Sequence, residues 1–333
     1  MLSYKKLADF LKSLDFDIIG FAKVGDYSAY LKRVKQRYDD NNLYPRTNMP
    51  YQDYVALDKL IEKPKTIISL GLSYHQASKK SNKEMIGYYS KSSWGVDYHK
   101  VIYEKLEQVA TYLKQYEPNS DCFLACDTKS IDDRYFAYLC GNGFYGKNGM
   151  LINEEYGSEV FYGTIITNLE FTFEVNDLPE SKCGGCKICE EACPTKSLSN
   201  YQLNYRSCLS HLSQSKQMIS PTIINQQIYG CDVCNDCCPY NLKATVINSC
   251  FNDDGYVDLI KVIKATNSEY QELFKDKGLT WLSKNIIKKN AILCLGNYLP
   301  EQRAEIIALA NEIKQRKSPL LDEAFAYILK TEE

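Results

Sequence analysis

The sequence predicts an α+β protein in three parts: an N-terminal α/β domain over 1–176, a small cysteine-rich domain over 177–244, and a short helical region over 245–333. Three observations predict it. Strand and helix signals alternate along the first part, two cysteine runs crowd into the second, and helical periodicity fills the third. A chain of 333 residues is long enough for two or three domains with a sizeable core.

Leu2, Leu7, Phe10, Leu11 and Leu14 recur at helical spacing, so the chain opens on an amphipathic helix. Ile18–Ala22 predicts a short buried strand and Thr66–Tyr74 a stronger one. A long helix is expected over Tyr98–Tyr116, with Val101, Ile102, Leu106, Val109 and Leu113 on one face. Cys122–Cys126 predicts a strand that ends at Asp127. A helix over Asp133–Cys140 is closed by Gly141 and Gly143. Strands follow near Met150–Asn153 and Val160–Thr167. A helical signal surrounds Cys208–Leu212. Helices are then expected over Trp281–Leu295, Glu301–Ile313 and Leu320–Leu329, punctuated by Gly296-Asn297 and Pro319. Two or three antiparallel helices there would make a minimal HEAT-like solenoid piece.

Hydrophobic residues are 44% and charged residues 25%, ordinary for a globular protein. The formal net charge of −2 excludes a grossly basic nucleic-acid binder but leaves room for a local basic face. Lys261–Lys289 is such a stretch, with seven lysines against Glu269, Glu272 and Asp276; a solvated helix face accounts for it equally well. The N-terminus has no apolar signal region and no twin arginine. No window approaches the roughly 20 apolar residues of a membrane span, so a cytoplasmic protein is expected. Fourteen cysteines in a cytoplasmic chain point to metal binding rather than disulfides.

The cysteines fall into two runs. The first is Cys183-x2-Cys186-x2-Cys189-x3-Cys193-Pro194. The second is Cys231-x2-Cys234-x2-Cys237-Cys238-Pro239. This is the bacterial-ferredoxin pattern and its shorter relative, which hold two [4Fe-4S] clusters and cross ligands between runs. Two-residue spacers let three thiolates wrap one face of a cluster. The cysteine after the longer spacer points to the other cluster. Cys183, Cys186 and Cys189 therefore take Cys238 as fourth ligand. Cys193 joins Cys231 and Cys234, and Cys208, between the runs, is the candidate for the vacant place. Cys237 is then surplus. A zinc ribbon is the competing reading of CxxC pairs, but zinc sites rarely show two such proline-terminated endings. Cys122, Cys126, Cys140, Cys250 and Cys294 are expected to pack as small apolar side chains. His75, His99 and His211 lack ligand-spaced partners and are expected to be ordinary hydrogen-bonded histidines.

Further signatures surround the clusters: Ser90-Lys-Ser-Ser-Trp94-Gly-Val-Asp97-Tyr98-His99, Asp127-Thr-Lys-Ser-Ile-Asp-Asp-Arg134, Gly141-Asn-Gly143-Phe-Tyr-Gly146-Lys147-Asn148 and Tyr156-Gly157-Ser158-Glu-Val-Phe-Tyr162. With Cys193-Pro-Thr195, Arg206-Ser-Cys208 and Tyr229-Gly-Cys231-Asp232, they resemble the epoxyqueuosine reductases, in the same order, over roughly residues 5–300. The resemblance implies an N-terminal cobalamin-binding domain beside a ferredoxin-like two-cluster domain. It implies a cytosolic enzyme that reduces epoxyqueuosine to queuosine at the wobble position of tRNA with a GUN anticodon. An external donor of flavodoxin or ferredoxin type and a monomeric state are expected with it.

By the same resemblance Asp127 is the proton donor, and Ser90, Asn148, Leu151, Tyr162, Ser210 and Asp232 lie against cobalamin. Gly157-Ser158 would let the backbone approach the corrin closely. On the residues alone, an N-cap or turn role for Asp127 is as good a reading. The chain departs from the family in three places. Lys129-Ser130 follow the Asp-Thr pair where a small residue and often proline is usual. Gln52-Asp-Tyr-Val-Ala56 replaces a stretch that carries an arginine, and the helical C-terminus is short. Two other classes fit the clusters: a reductive dehalogenase, which generally has a twin-arginine leader, and a non-catalytic electron carrier, which does not need so large an upstream region.

Overall fold

The computed structural model describes residues 2–43, 50–77, 81–127, 131–174, 177–247 and 249–330. Lys129 and Ser130 lie outside them. Ser3 caps the first helix, α1 (Tyr4–Ser13), by accepting from the Lys6 N–H, and Leu7 and Leu11 bury its apolar face. The hydrophobic run after it forms β1 (Ile18–Lys23), followed by α2 (Ser28–Asp39). Two buried runs, β2 (Thr66–Ser73) and β7 (Val160–Thr167), are the central strands of a four-stranded sheet ordered β1-β2-β7-β4, where β4 is Cys122–Ala125. Every pairing in it is antiparallel. The expected α/β layer is therefore corrected to α+β. The chain crosses between strands by helices yet returns in the opposite direction, which spacing alone does not reveal.

Helix α3 (Tyr98–Tyr116) covers one sheet face through fully buried Ile102, Leu106, Val109 and Leu113, and Val101 packs at its margin. Helix α4 (Asp133–Leu139) and α2 cover the other through Phe136, Tyr135 and Tyr30. A short ladder of β5 (Phe144–Tyr145) and β6 (Leu151–Ile152) leads into β7. Strand β3 (Ile86–Tyr89) leaves this layer and centres a second, three-stranded sheet. Its partners, β10 (Gln227–Tyr229) and β11 (Tyr256–Asp258), come from far along the chain.

The cysteine segment has little regular structure. It holds α5 (Ile188–Ala192), the hairpin β8 (Leu198–Ser199) and β9 (Gln202–Leu203), α6 (Leu209–Leu212), α7 (Pro221–Ile224), α8 (Val233–Asp236) and α9 (Pro239–Leu242). After β11 come α10 (Leu259–Lys264), α11 (Asn267–Leu273), α12 (Lys284–Leu295), α13 (Leu299–Lys314) and α14 (Pro319–Lys330). Helix α12 begins three residues later than expected, because Trp281 lies in a turn outside it. The helix is buried on all sides from Ile286 to Leu295. Its core also takes in Met85 and Tyr89, Leu209 to Tyr229, and α10 to α14. The last helices and part of the cysteine segment thus share one hydrophobic interior. Among the described residues no helix is long and apolar enough to cross a membrane.

Candidate active site

Asp127 stands where β4 ends. Its backbone is left-handed, with φ at +53°, a conformation that non-glycine residues adopt rarely and Asp more readily than most. The neighbouring acids hold it there. The Asp127 N–H donates to Asp133 Oδ2 at 2.7 Å, and Asp133 Oδ1 accepts from the Thr164 hydroxyl of β7 at 2.5 Å. Asp132 caps α4 and accepts from the Tyr30 hydroxyl at 2.7 Å. Such a conformation costs on the order of 1–3 kcal/mol, so its clamping is an observation that points to use.

The Asp127 side chain is 66% exposed, and its Oδ2 accepts from the Tyr98 hydroxyl at 2.9 Å. His99 Nε2 is 3.7 Å from the same oxygen, and His99 Nδ1 is 2.8 Å from Asp97, the N-cap of α3. The Tyr98 ring is sandwiched between His99 and Phe161 of β7, centroids 4.0 Å away on each side. Burial and the Asp127 charge push the Tyr98 phenol far up, so it stays a donor. Burial works against a charged His99, but the nearby Asp127 carboxylate and the hydrogen-bonded Asp97 outweigh that and raise its pKa. The sequence predicts an ordinary hydrogen-bonded histidine here; the Asp97 bond fits that, and the approach to Asp127 depends on a strand end further along the chain.

A second group joins the sheet to the cysteine segment. Ser90 Oγ donates to Asp232 Oδ1 at 2.6 Å, and the Lys91 N–H donates to Asp232 Oδ2 at 2.8 Å. Burial pushes the Asp232 carboxyl up to about 6 despite those bonds. Lys91 continues the link, pairing with fully buried Glu159 at 3.0 Å and with Asp236 at 2.8 Å; His75 Nδ1 is 2.6 Å from Glu159. Asn148 Nδ2 donates to Asn235 at 3.3 Å, and Ser158 and Asn241 complete a buried polar network there. Gly157, at φ +67°, is glycine because a Cβ would lie 2.1 Å from Asn241 Oδ1. Its close approach within the chain is therefore to this network. Leu151 and Tyr162 pack together in a separate apolar cluster. The buried Tyr162 hydroxyl has no hydrogen-bond partner among the described residues. Ser210 lies on α6, two residues after Cys208.

The cysteines gather in two groups. Cys183 and Cys238 pack on one apolar cluster with Phe144 and Ile152, and the Cys238 thiol is raised by burial and then by Cys183 and Cys186. Burial pushes Cys189 up to about 11, with Cys237, Cys238 and Cys183 adding to it. Lys147 Nζ donates to the Gly184 and Cys186 carbonyls, 2.8 Å each, which holds this loop against the sheet domain. In the other group burial pushes Cys231 up to about 12, with Cys208 and Cys193 among the neighbours that add to it. Cys234 is raised well above the usual thiol range by burial, then by Cys231 and Cys208. Burial works against the Cys193 thiolate, but bonds from Thr195 and Ser197 outweigh it and lower its pKa. Thiols crowded in this way keep their protons until a metal displaces them. Among the described residues no three such side chains converge on a point for a single metal ion. A cubane instead binds each thiolate through a different iron.

The basic stretch of the sequence is only partly available to RNA. Lys288 and Lys289 are buried, Lys277 pairs with Asp253, and Lys264 pairs with Glu312. Helical burial of two adjacent lysines is not visible in a charge count.

A family model described as epoxyqueuosine reductase QueG, DUF1730, matches residues 55–128, and one described as a 4Fe-4S double cluster binding domain matches residues 182–241. The chain is 31% identical over 311 residues to the epoxyqueuosine reductase of Lactococcus garvieae, covering 88% of this chain and 87% of that one. It superposes on a crystal structure of epoxyqueuosine reductase with an epoxyqueuosine-modified tRNA-Tyr stem loop with a TM-score of 0.90. That match has 29% identity and covers 97% of this chain and 88% of the other. A second solved structure, from Bacillus subtilis, has its catalytic aspartate loop swung out of the active site. It matches with a TM-score of 0.89 at 28% identity, over 97% and 88% of the two chains.

Proposed function

The chain belongs to the epoxyqueuosine reductase family, and on that premise we propose how its own residues serve the reaction. It is an oxidoreductase that reduces epoxyqueuosine in tRNA to queuosine. Removing the epoxide oxygen leaves an alkene and water, and consumes two electrons and two protons. The finer reading is that the substrate is the wobble base of a GUN anticodon. The protein then works as a monomer in the cytoplasm with a flavodoxin or ferredoxin-type donor.

The observation that carries the reading is the clamped, solvent-facing Asp127 carboxylate with Tyr98 and His99 on it. An exposed carboxylate is open to a substrate oxygen. Tyr98 fixes its direction, and His99 keeps a proton beside it. A base seated over the site would exclude water, and a bare ion pair is then less stable than the neutral pair. The proton passes from His99 to Asp127, and Asp127 gives it to the departing oxygen.

Two [4Fe-4S] clusters fit the two cysteine groups: Cys183, Cys186, Cys189 and Cys238 in one, Cys193, Cys208, Cys231 and Cys234 in the other. Cobalamin fits the seam beside the second group. The support is the Ser90–Asp232 pair next to Cys231 and, in the apolar cluster of Leu151, the Tyr162 hydroxyl, which has no hydrogen-bond partner among the described residues. Ser90, Asn148, Leu151, Tyr162, Ser210 and Asp232 would hold it. When bound, these groups supply the two electrons through a strongly reducing cobalt centre. The chain orients the substrate, excludes water and handles the proton at Asp127.

Asp127→Asn keeps size and polarity but cannot be an acid. With clusters and corrin still bound, queuosine formation should slow by about 10²–10⁴-fold, the usual worth of general acid catalysis. An unchanged rate would remove Asp127 from the mechanism.

A further inference from the structure

Of the two tryptophans, Trp94 is buried and Trp281 is 64% exposed. A tryptophan so exposed is unusual, since its area favours burial or an interface. Trp281 is also held. Its indole N–H donates to the hydroxyl of buried Tyr229 at 3.2 Å. Tyr229 in turn lies within the field of Asp127 and Asp97.

The turn that carries Trp281 lies against the catalytic margin. The Asp97 N–H donates to the Asp276 carbonyl at 2.6 Å, and Lys100 pairs with the Asp276 carboxylate at 3.2 Å. Gly278 faces Ser92, Ser93 and the Asp97 carboxylate. That carboxylate is the one holding His99 behind Asp127. On the other side the turn borders an open cleft whose polar lining is Asn267, Gln271, Lys275, Thr280, Lys284 and Asp276, the last with its charge met by Lys100. Among the described residues neither Lys275 nor Lys284 has a carboxylate within ion-pair distance. A fixed aromatic plane, cations and amide side chains together match the chemistry of single-stranded RNA, where bases stack and phosphates need positive charge.

We propose that Trp281 is a stacking platform for an unpaired anticodon-loop base next to the one that enters the Asp127 site, with Lys275 and Lys284 receiving its phosphates. This rests on the reading of the chain as a tRNA-acting enzyme. Its use would be positional: a neighbour stacked on a rigid ring fixes which nucleotide is displaced into the site.

The test titrates cofactor-loaded protein with an anticodon stem loop carrying a red dye, read by anisotropy. Trp281→Ala should weaken binding about tenfold, roughly the worth of one stacked base, and Trp281→Phe by less than about threefold. Trp281→Leu, apolar but not planar, should behave like Ala. A series of stem loops, each with one abasic loop position, should contain one whose penalty disappears in Trp281→Ala. Equal affinity of all variants would overturn the inference. So would unchanged RNA affinity with slowed reduction by a protein donor, which would make Trp281 a docking residue for that donor. Failure of the unmutated protein to bind any stem loop would overturn the tRNA reading and this inference with it.

Discussion

Cys208 and Cys237 separate two ways of completing the second cluster. Spacing alone left one ligand place vacant and one cysteine spare. The fold places Cys208 beside Cys193, Cys231 and Cys234, and Cys237 beside Cys238 and Cys186. Anaerobically reconstituted protein should contain about eight iron and eight sulfide per chain. Cys208→Ala should lose about half of each, and Cys237→Ala should keep both clusters. The reverse result would exchange their roles. At this scale spacing marks the two cysteine runs, and a strand end and a motif together mark Asp127. The sequence assigns Lys91 and Glu159 no role and reads His99 as an ordinary hydrogen-bonded histidine. Each of these acquires its role from a partner on another element, such as the 3.0 Å Lys91–Glu159 pair.

Helix α12 shows what periodicity cannot reveal. Its sequence Lys-Asn-Ile-Ile-Lys-Lys-Asn has the polarity of a solvated face, yet Lys288, Lys289 and Asn290 are buried. They work as caps for other segments. Lys289 Nζ donates to the Ser215 and Gln217 carbonyls at 3.0 and 2.8 Å. Asn290 Nδ2 donates to the Ser213 and Ile228 carbonyls at 2.6 and 2.8 Å. Ser213 Oγ accepts from the Gly230 N–H at 3.0 Å. The helix therefore ties the Cys208 arm to the Cys231 arm. Burial lowers the Lys289 amine from 10.5 to about 8. In this window the unfolded chain binds the proton more tightly than the folded one, so stability gains as pH rises. The cost of the buried charge is full below pH 8 and fades towards 10.5. The gain is at most about 1.4 kcal/mol per pH unit. Lys289→Met lacks this term. Thermal melts of both proteins at pH 7 and pH 9.5 should show the unmutated protein improving relative to the variant. A parallel response would mean that Lys289 keeps an ordinary pKa.

Over the whole molecule the strands of the N-terminal layer were legible, because buried β-branched runs have no other place in a fold. Their antiparallel order was not, since it depends on connections rather than on composition. Nor was the second sheet, whose strand β3 pairs with chain about 140 and 170 residues later. That sheet and the core of α12 bring the cysteine arms, the Ser90–Asp232 pair and the Asp127 margin into one structure. The central claim is that this assembly reduces an epoxide on tRNA. The most direct measurement is a single-turnover reaction of cofactor-loaded, reduced protein with an epoxyqueuosine-containing anticodon stem loop, digested to nucleosides and analysed by mass. The account predicts queuosine, with one oxygen lost and the ring otherwise intact. Unchanged epoxyqueuosine with a competent reductant, or a ring-opened product that retains the oxygen, would contradict it.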